Sequence, residues 1–143
     1  MNVSNLLARK GHDVTTISQS QSVKDALALL KEHGIGALVV TGATPPLVGI
    51  LSERDVVRAL ATRGAAALDE KVSDLMSADV TTCDESTLVT DLMTVMTEQR
   101  IRHVPVVDHD VLSGMVSIGD VVKARLEELE HEKKDLLDYV SAR

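Results

Sequence analysis

Gly49-Ile50-Leu51-Ser52-Glu53-Arg54-Asp55-Val56-Val57 is the most informative stretch of the sequence, because it returns later as Gly114-Met115-Val116-Ser117-Ile118-Gly119-Asp120-Val121-Val122. In both copies a glycine leads a short apolar run, which is followed by Ser-x-x-Asp and two valines. This order of residues predicts a β-strand that runs directly into an α-helix.

The Ser-x-x-Asp phrase at this junction has two interpretations. A hydroxyl and a carboxylate beside the free N–H groups of a first helical turn can hold phosphate and ribose hydroxyls together. The same spacing is also a capping box, which satisfies the end of a helix and needs no ligand. Spacing alone leaves both interpretations open.

The repetition extends over most of the chain. Val14-Thr15-Thr16 returns as Val80-Thr81-Thr82, and further residues return 66 positions later: Ser20, Val23, Asp25, Glu32, Ile35 and Val40 as Ser86, Val89, Asp91, Glu98, Ile101 and Val106. A similar lead-in, residues 3–7 and 72–76, precedes each copy. We therefore expect a single module over residues 1–143, with a leader and first repeat in 1–65, a leader and second repeat in 70–126, and a C-terminal helical extension in 127–143.

Apolar spacing predicts the elements within each copy. Residues at i, i+3, i+4 and i+7 indicate one amphipathic helix per copy: Val23, Ala26, Leu27 and Leu30, then Val89, Leu92, Met93 and Met96. Ser20 and Ser86 are predicted to cap these helices. Short β-branched runs at 37–40 and 104–107 predict the middle strands. The unit is thus strand, helix, strand, strand, helix, which is an α/β architecture.

Composition excludes several classes of function. The chain has 143 residues, a formal net charge of −7 and no Trp or Phe, so a basic or aromatic surface for nucleic acid or for an anionic membrane is not expected. No apolar run approaches the roughly 18 residues of a membrane span, and no signal peptide is visible. The single cysteine, Cys83, excludes an intrachain disulfide and agrees with a cytoplasmic location. The five histidines lack metal-ligand spacing, so we expect no metal site.

Taken together, the repeated phrase, the Arg102-His103-Val104-Pro105-Val106 segment and the threonines that open each copy resemble a CBS-domain pair, also called a Bateman module. The resemblance implies two β-α-β-β-α repeats related by a pseudo-twofold axis. It also implies two clefts that bind adenine nucleotides or related adenosyl ligands, with AMP, ADP, ATP and NAD(H) as candidates. In that family the Asp phrase of one repeat faces the opening threonine and middle strand of the other.

Carried over residue by residue, the resemblance assigns the two clefts. The first contains Ser52, Arg54, Asp55, Val80, Thr82, Arg100, Ile101, Arg102, His103 and Pro105. Asp55 would accept hydrogen bonds from ribose hydroxyls, Ser52 would donate to a phosphate, and the cationic side chains would neutralise it, while Ile101 and Pro105 would sandwich the adenine. The second contains Val14, Thr16, Gly36, Ala37, Leu38, Ser117 and Asp120, and its strand carries no cation. We expect this second cleft to be roomier and less charged, and to admit a bulkier ligand such as a dinucleotide.

Three functions follow from these observations. The first is a regulatory sensor of adenine nucleotides without catalysis, acting on an effector protein that the sequence does not identify. A nucleotide hydrolase with Asp55 or Asp120 as base, and a structural dimerisation module with unused clefts, are the alternatives. The C-terminal seam of Val122, Leu126, Leu129, Leu136 and Val140, interrupted by Lys133, predicts a homodimer.

Overall fold

The computed structural model describes residues 1–142 and contains six α-helices and five β-strands in that range. The helices are α1 (Val3–Lys10), α2 (Val23–His33), α3 (Glu53–Arg63), α4 (Val72–Leu75), α5 (Val89–Gln99) and α6 (Ile118–Ser141). The strands are β1 (Thr16–Ser18), β2 (Ala37–Thr41), β3 (Gly49–Ser52), β4 (His103–Asp108) and β5 (Val111–Ser117), and a 3₁₀ helix covers Gly64–Asp69. The predicted α/β architecture of two repeats, a leader helix and a long C-terminal helix is confirmed.

Each repeat has its own small sheet. In the first, β2 pairs in parallel with β1 and antiparallel with β3. In the second, β4 and β5 form an antiparallel pair, and within residues 1–142 the opening segment adds only a parallel bridge between Cys83 and Val106. The opening segment turns away at once, because Asp84 accepts hydrogen bonds from the backbone and hydroxyl of Ser86.

The repeated phrase folds as predicted. Strand β3 ends at Ser52 and α3 begins at Glu53, while β5 ends at Ser117 and α6 begins at Ile118. No residue separates strand from helix in either copy, so both Ser-x-x-Asp groups lie at the sheet edge. The predicted middle strands are also present as β2 and β4.

The predicted caps of α2 and α5 are wrong. Ser22, not Ser20, caps α2 by accepting a hydrogen bond from the Asp25 backbone. Leu88 precedes α5 and makes no side-chain cap, because Ser86 is engaged with Asp84 in the turn before it. Both errors are displacements of two residues, the scale on which a spacing argument fails at helix ends.

The two leaders exchange partners. The leader helix α1 comes first in the chain, yet its Val3, Leu6 and Leu7 are buried in the core of the second repeat. The second leader, α4, buries Val72 in the core of the first repeat. A Cβ on Gly114 would lie 2.8 Å from Leu7 Cδ2, and a Cβ on Gly49 would lie 2.6 Å from Met76 Sδ. The glycine that opens each phrase therefore makes room for the leader of the other repeat.

Helix α6 continues beyond the body of the protein. Val121 and Ala124 are buried against α1 and α5, whereas every residue from 129 to 142 is exposed. Although α6 has 24 residues, neither it nor any other helix within residues 1–142 is apolar enough to span a membrane.

Candidate functional site

A cavity of about 490 Å³ opens where α3 begins. It lies between the first turn of α3 and the segment that connects α5 to β4. Its lining residues are Gly36, Ile50, Ser52, Glu53, Arg54, Asp55, Val57, Arg58, Ser77, Arg100, Ile101, Arg102 and His103. The structure thus brings together seven residues predicted for the first cleft: Ser52, Arg54, Asp55, Arg100, Ile101, Arg102 and His103.

Ser52 and Asp55 form a complete capping box at the mouth of this cavity. Asp55 Oδ2 accepts hydrogen bonds from the Ser52 backbone N–H at 2.9 Å and from Ser52 Oγ at 3.1 Å. In return, the Asp55 backbone N–H donates to Ser52 Oγ at 3.3 Å. The capping interpretation is confirmed, and it occupies only one carboxylate oxygen. Among the described residues, Asp55 Oδ1 has no hydrogen-bond partner and is available to a ligand.

Four arginines give the cavity its charge. Arg54 and Arg58 are one turn apart on α3, and Arg100 and Arg102 lie in the connection between α5 and β4. None of the four forms an ion pair with a residue in the range 1–142, although Glu53 and Asp55, the neighbours of Arg54 in sequence, also line the cavity. These unpaired guanidinium groups give the cavity a locally positive surface in a chain of net charge −7.

His103 lines the cavity and is less exposed than its four arginines. It is half-buried, and a Cβ built on Gly36 would lie 3.3 Å from its Cε1 atom. Burial, together with the positive charge of Lys10, lowers the pKa of His103 from its ordinary value of 6.5. The lowered pKa disfavours the protonated form of His103, so the arginines are the better candidates for the positive charge predicted there.

Three residues predicted for the first cleft do not line the cavity. Pro105 is buried within β4, opposite Met115 of β5. Thr82 is exposed on a separate shallow surface beside Cys83 and Asp84. At that surface, burial and the charge of Asp84 raise the pKa of the Cys83 thiol to about 11. Val80, two residues earlier, does not reach the cavity either. Ile50 and Val57, with Ile101, provide its apolar wall instead.

The second predicted cleft differs most from expectation. Ser117 and Asp120 form the same capping box, with the Ser117 N–H donating to Asp120 Oδ2 at 2.9 Å. The same oxygen accepts a hydrogen bond from Lys10 Nζ at 2.5 Å, and Lys10 Nζ also donates to the Met115 carbonyl at 2.5 Å. Burial works to raise the pKa of Asp120, but the hydrogen bonds from Lys10 and Ser117 and the charge of Lys10 hold it below its ordinary value.

The space beside Asp120 is not the predicted second cleft, since Asp120 alone among the seven residues predicted for that cleft lines it. The cavity beside Asp120 measures about 210 Å³, less than half the volume of the first, and Arg9, Lys10 and Lys123 line it. The cation comes from the leader helix α1, which the comparison of middle strands did not consider.

The remaining residues predicted for the second cleft are dispersed. Gly36 lines the first cavity. Leu38 is buried in the core of the first repeat, and Ala37 packs with Val14 and Met115 between the sheets. Thr16 is exposed at the start of β1.

Sequence analysis missed six lining residues: Gly36 as a member of this cavity, Ile50, Glu53, Val57, Arg58 and Ser77. Arg58 was detectable, since it follows Arg54 by four residues and shares its helix face. Ser77 was not, because it reaches the cavity through an antiparallel bridge to Ile50 that follows from the exchange of leaders.

Comparison with known proteins identifies the class. The family model of the CBS domain matches residues 3–62 and 72–127. The chain therefore belongs to the CBS-domain family and carries two copies of the domain, which makes it a CBS pair, a regulatory module.

Relatives and solved structures agree with this assignment. The chain is 39% identical over 123 residues to the mitochondrial CBS domain-containing protein CBSX3 of Arabidopsis thaliana, covering 83% of this chain and 60% of that protein. It is 31% identical to the CBS domain-containing protein YhcV of Bacillus subtilis, covering 76% of each. The CBS-domain protein ATU1752 of Agrobacterium tumefaciens superposes with a TM-score of 0.84 at 46% identity, covering 87% of this chain and 99% of that one.

One structural neighbour was solved with ligands. The CBS pair of MJ0100, in complex with 5′-methylthioadenosine and S-adenosyl-L-methionine, superposes with a TM-score of 0.77 at 25% identity, covering 90% of this chain and 98% of that one.

Proposed function

We propose that this CBS pair senses adenine nucleotides, with AMP, ADP or ATP bound in the Asp55 cavity. The observation that carries the proposal is the presence of an unpartnered carboxylate oxygen and four unpaired arginines around one cavity. A ribose diol and a phosphate need these two kinds of group at a short separation. The cavity volume of about 490 Å³ is within the range of small-molecule sites.

Each group has a role in this proposal. Asp55 Oδ1 accepts hydrogen bonds from the ribose hydroxyls, while Oδ2 remains engaged with Ser52. Arg100 and Arg102 bind the phosphate, and Arg54 and Arg58 extend the positive surface toward a second or third phosphate. Ile50, Val57 and Ile101 contact the adenine. His103 takes up a proton when an anion binds beside it.

The ligands of MJ0100 support an adenosyl compound as the common element. Both of them contain adenosine and neither contains a phosphate, so they fit the carboxylate half of the site better than the arginine half. In this chain the arginine half favours a phosphorylated ligand. A dinucleotide such as NAD(H) fits the 210 Å³ space beside Asp120 poorly while Lys10 occupies the carboxylate.

Calorimetry of AMP and adenosine tests the proposal. Arg102→Ala should weaken AMP binding by about 10- to 150-fold, the value of one hydrogen bond to a charged group, and leave adenosine binding unchanged. Lys24→Ala is the matched control, because it removes one positive charge from the exposed surface of α2 outside the cavity. Rising ionic strength should reduce the AMP preference of the parent protein more steeply than that of Arg102→Ala, which retains three of the four arginines. Equal losses for AMP and adenosine would contradict the assignment of the phosphate site.

The proposal includes regulation without catalysis. The rival hydrolase predicts turnover of ATP well beyond the protein concentration during prolonged incubation, which mass spectrometry of the nucleotides measures. The rival structural module predicts no change in melting temperature with any adenosyl compound. The effector protein and the cytoplasmic location remain part of the proposal.

We further propose that the chain acts as a homodimer to which α6 contributes. Seven large hydrophobic side chains of α6 between Val122 and Val140 are 42 to 65% exposed, more than isolated surface residues require. Light scattering of the full chain should therefore give twice the monomer mass of 15.4 kDa.

A further inference from the structure

The side chain of His103 lies where the two repeats meet, between the first turns of α3 and α6. On the α3 side, a Cβ built on Gly36 would lie 3.3 Å from His103 Cε1 and 3.9 Å from Glu53 Cδ. On the α6 side, His103 is paired across the sheet with Ser117, the residue that caps α6. The equivalent position of the first repeat, 66 residues earlier, is Ala37, which has no ring to place there. His103 is therefore positioned to act on both strand-to-helix junctions.

The ammonium group of Lys10 closes the cavity of about 210 Å³ beside Asp120, which we call the Asp120 cavity. Lys10 Nζ donates hydrogen bonds to Asp120 Oδ2 and to the carbonyl oxygen of Met115 on the edge of β5. At the equivalent edge of β3, backbone hydrogen bonds between Ser77 and Ile50 occupy this position. Lys10 thus fills with a side chain a place that the first repeat fills with backbone. A partly exposed side chain can leave such a place without unfolding a helix or a strand.

Four charged side chains act on the His103 ring, from α1, α3, α6 and the connection between α5 and β4. Lys10 and Arg102 disfavour the protonated ring, whereas Asp120 and Glu53 favour it. Arg102 is exposed and has no ion pair within residues 1–142, so it can move away from a protonated ring. Lys10 is instead held beside the ring by its two hydrogen bonds. Lys10 is therefore the cation whose position depends on the charge of His103.

The coupling between Lys10 and His103 is reciprocal. Because the charge of Lys10 disfavours a proton on His103, a proton on His103 disfavours Lys10 at its place by the same free energy. Asp120 does not lose its neutralising charge when Lys10 leaves, since the protonated ring supplies another positive charge nearby. The Asp120 carboxyl itself stays ionised while His103 titrates, because hydrogen bonds and the charge of Lys10 hold its pKa below the ordinary value.

We propose that protonation of His103 releases Lys10 from Asp120, so that the Asp120 cavity is closed at neutral pH and opens in acidic solution. The device goes beyond the proposed nucleotide site, because it consists of contacts among the chain's own residues. Opening makes the Asp120 carboxylate available beside the cations Arg9 and Lys123. The opened cavity then offers a carboxylate and positive charge, the two kinds of group that the Asp55 cavity offers to a ribose phosphate.

The titration of His103 tests the link in one direction. The Cε1–Hε1 signal of His103 in nuclear magnetic resonance is assigned by its loss in His103→Gln. This signal should titrate with a higher pKa in Lys10→Met than in the parent protein, because a positive charge is removed. Arg9→Met is the matched control, since Arg9 lines the same cavity but pairs with Glu127 at 2.8 Å, and it should leave the titration unchanged. Equal titration of His103 in the parent protein and in Lys10→Met would overturn the proposal.

The mobility of Lys10 tests the link in the other direction. Carbon-13 relaxation of the Lys10 Cε group, assigned by its loss in Lys10→Met, should show an ordered side chain above the midpoint of the His103 titration and a mobile one below it. In His103→Gln the side chain should stay ordered over the same range of pH. A Lys10 side chain that stays ordered in the parent protein below that midpoint would overturn the proposal, whether or not the variant folds. The same loss of order in His103→Gln would also overturn it, because another group would then control Lys10.

Calorimetry with AMP adds a functional measurement, and this measurement rests on the proposed function. The parent protein should bind one AMP per chain above the midpoint of His103 and two below it. One AMP at both pH values, with Lys10 mobile at the lower one, would overturn the binding role of the Asp120 cavity. No AMP binding at either pH would overturn the proposed nucleotide site, while the mobility of Lys10 would still decide whether His103 controls it.

Discussion

Replacement of Asp55 by alanine separates binding from capping, because the two roles of this side chain use different carboxylate oxygens. Oδ2 accepts both hydrogen bonds from Ser52, whereas Oδ1 is available to a ligand. Loss of the cap costs about 1 kcal/mol of folding free energy. Loss of two hydrogen bonds from ribose hydroxyls to a carboxylate costs at least about 3 kcal/mol of binding free energy, or roughly 100-fold in Kd.

These magnitudes predict a clear thermal signature. At an AMP concentration 100 times the Kd of the parent protein, mass action stabilises the folded state by about 2.7 kcal/mol. In Asp55→Ala the same concentration no longer exceeds the Kd, and the stabilisation falls to about 0.4 kcal/mol or less. For a chain of this length about 3 °C corresponds to 1 kcal/mol, so the ligand-induced rise in Tm should fall from roughly 8 °C to about 1 °C.

Asp74→Ala is the matched control for the cap. Asp74 is the third residue of α4, accepts a hydrogen bond from the Lys71 N–H at 3.2 Å and does not line the cavity. This variant should lower the melting temperature of the ligand-free protein and keep the full rise with AMP. An unchanged AMP-induced rise in Asp55→Ala would refute the binding role and leave Asp55 as a cap alone.

Three further predictions follow from the same geometry. Lys10→Met should free the Asp120 carboxylate from its hydrogen bond with Lys10, so calorimetry should find two AMP molecules bound per chain where the parent binds one. An unchanged stoichiometry would show that Lys10 does not block binding at Asp120. Because burial lowers the pKa of His103, the unfolded chain binds more protons near pH 6, and stability should decrease as pH falls below about 6.5. The AMP phosphate also titrates near pH 6, so the buffer dependence of the binding heat should show a larger proton uptake in the parent protein than in His103→Gln, and equal uptake would contradict the role of His103. Gly49→Ala should cost about 1–3 kcal/mol in urea unfolding because its Cβ would lie 2.9 Å from the Ser77 carbonyl oxygen. Gly114→Ala should cost less, since its Cβ meets side-chain atoms of Leu7 and no backbone atom; the reverse order would contradict the account of leader packing.

The sequence correctly predicted the elements that are determined by residues close together in the chain. The strand-to-helix junctions at Ser52 and Ser117 follow from an apolar run joined to a capping box, and both signals lie within nine consecutive residues. The same junctions position Asp55 and Asp120 at the sheet edge, so half of the candidate site could be predicted from sequence. The caps of α2 and α5 could not, because Ser22 and Leu88 precede those helices in competition with nearby serines that make turns instead.

The packing of each leader on the other repeat explains why some site contacts could not be predicted from the sequence. Lys10 is 110 residues from Asp120 in the chain, and no periodicity connects them. Ser77 enters the first cavity for the same reason, since the second leader crosses to the first repeat and pairs with Ile50. The contrast between Arg100 and Arg102 and the corresponding strand without cations predicted a positively charged first cleft, but it did not include the groups that the leaders bring.

The difference between the clefts originates in the lengths of the two leader helices. The leaders align with Val3 on Val72 and Leu7 on Met76, so the position equivalent to Lys10 is Asp79. Helix α1 continues for eight residues and carries Lys10 to Asp120, whereas α4 ends after four residues and precedes Asp79. The first cleft is thus left with an available carboxylate and unpaired arginines, while the second has its carboxylate neutralised by the chain itself. A duplicated binding phrase has in this way become one candidate nucleotide site and one internal ion pair, and a single residue, Lys10, separates the two outcomes.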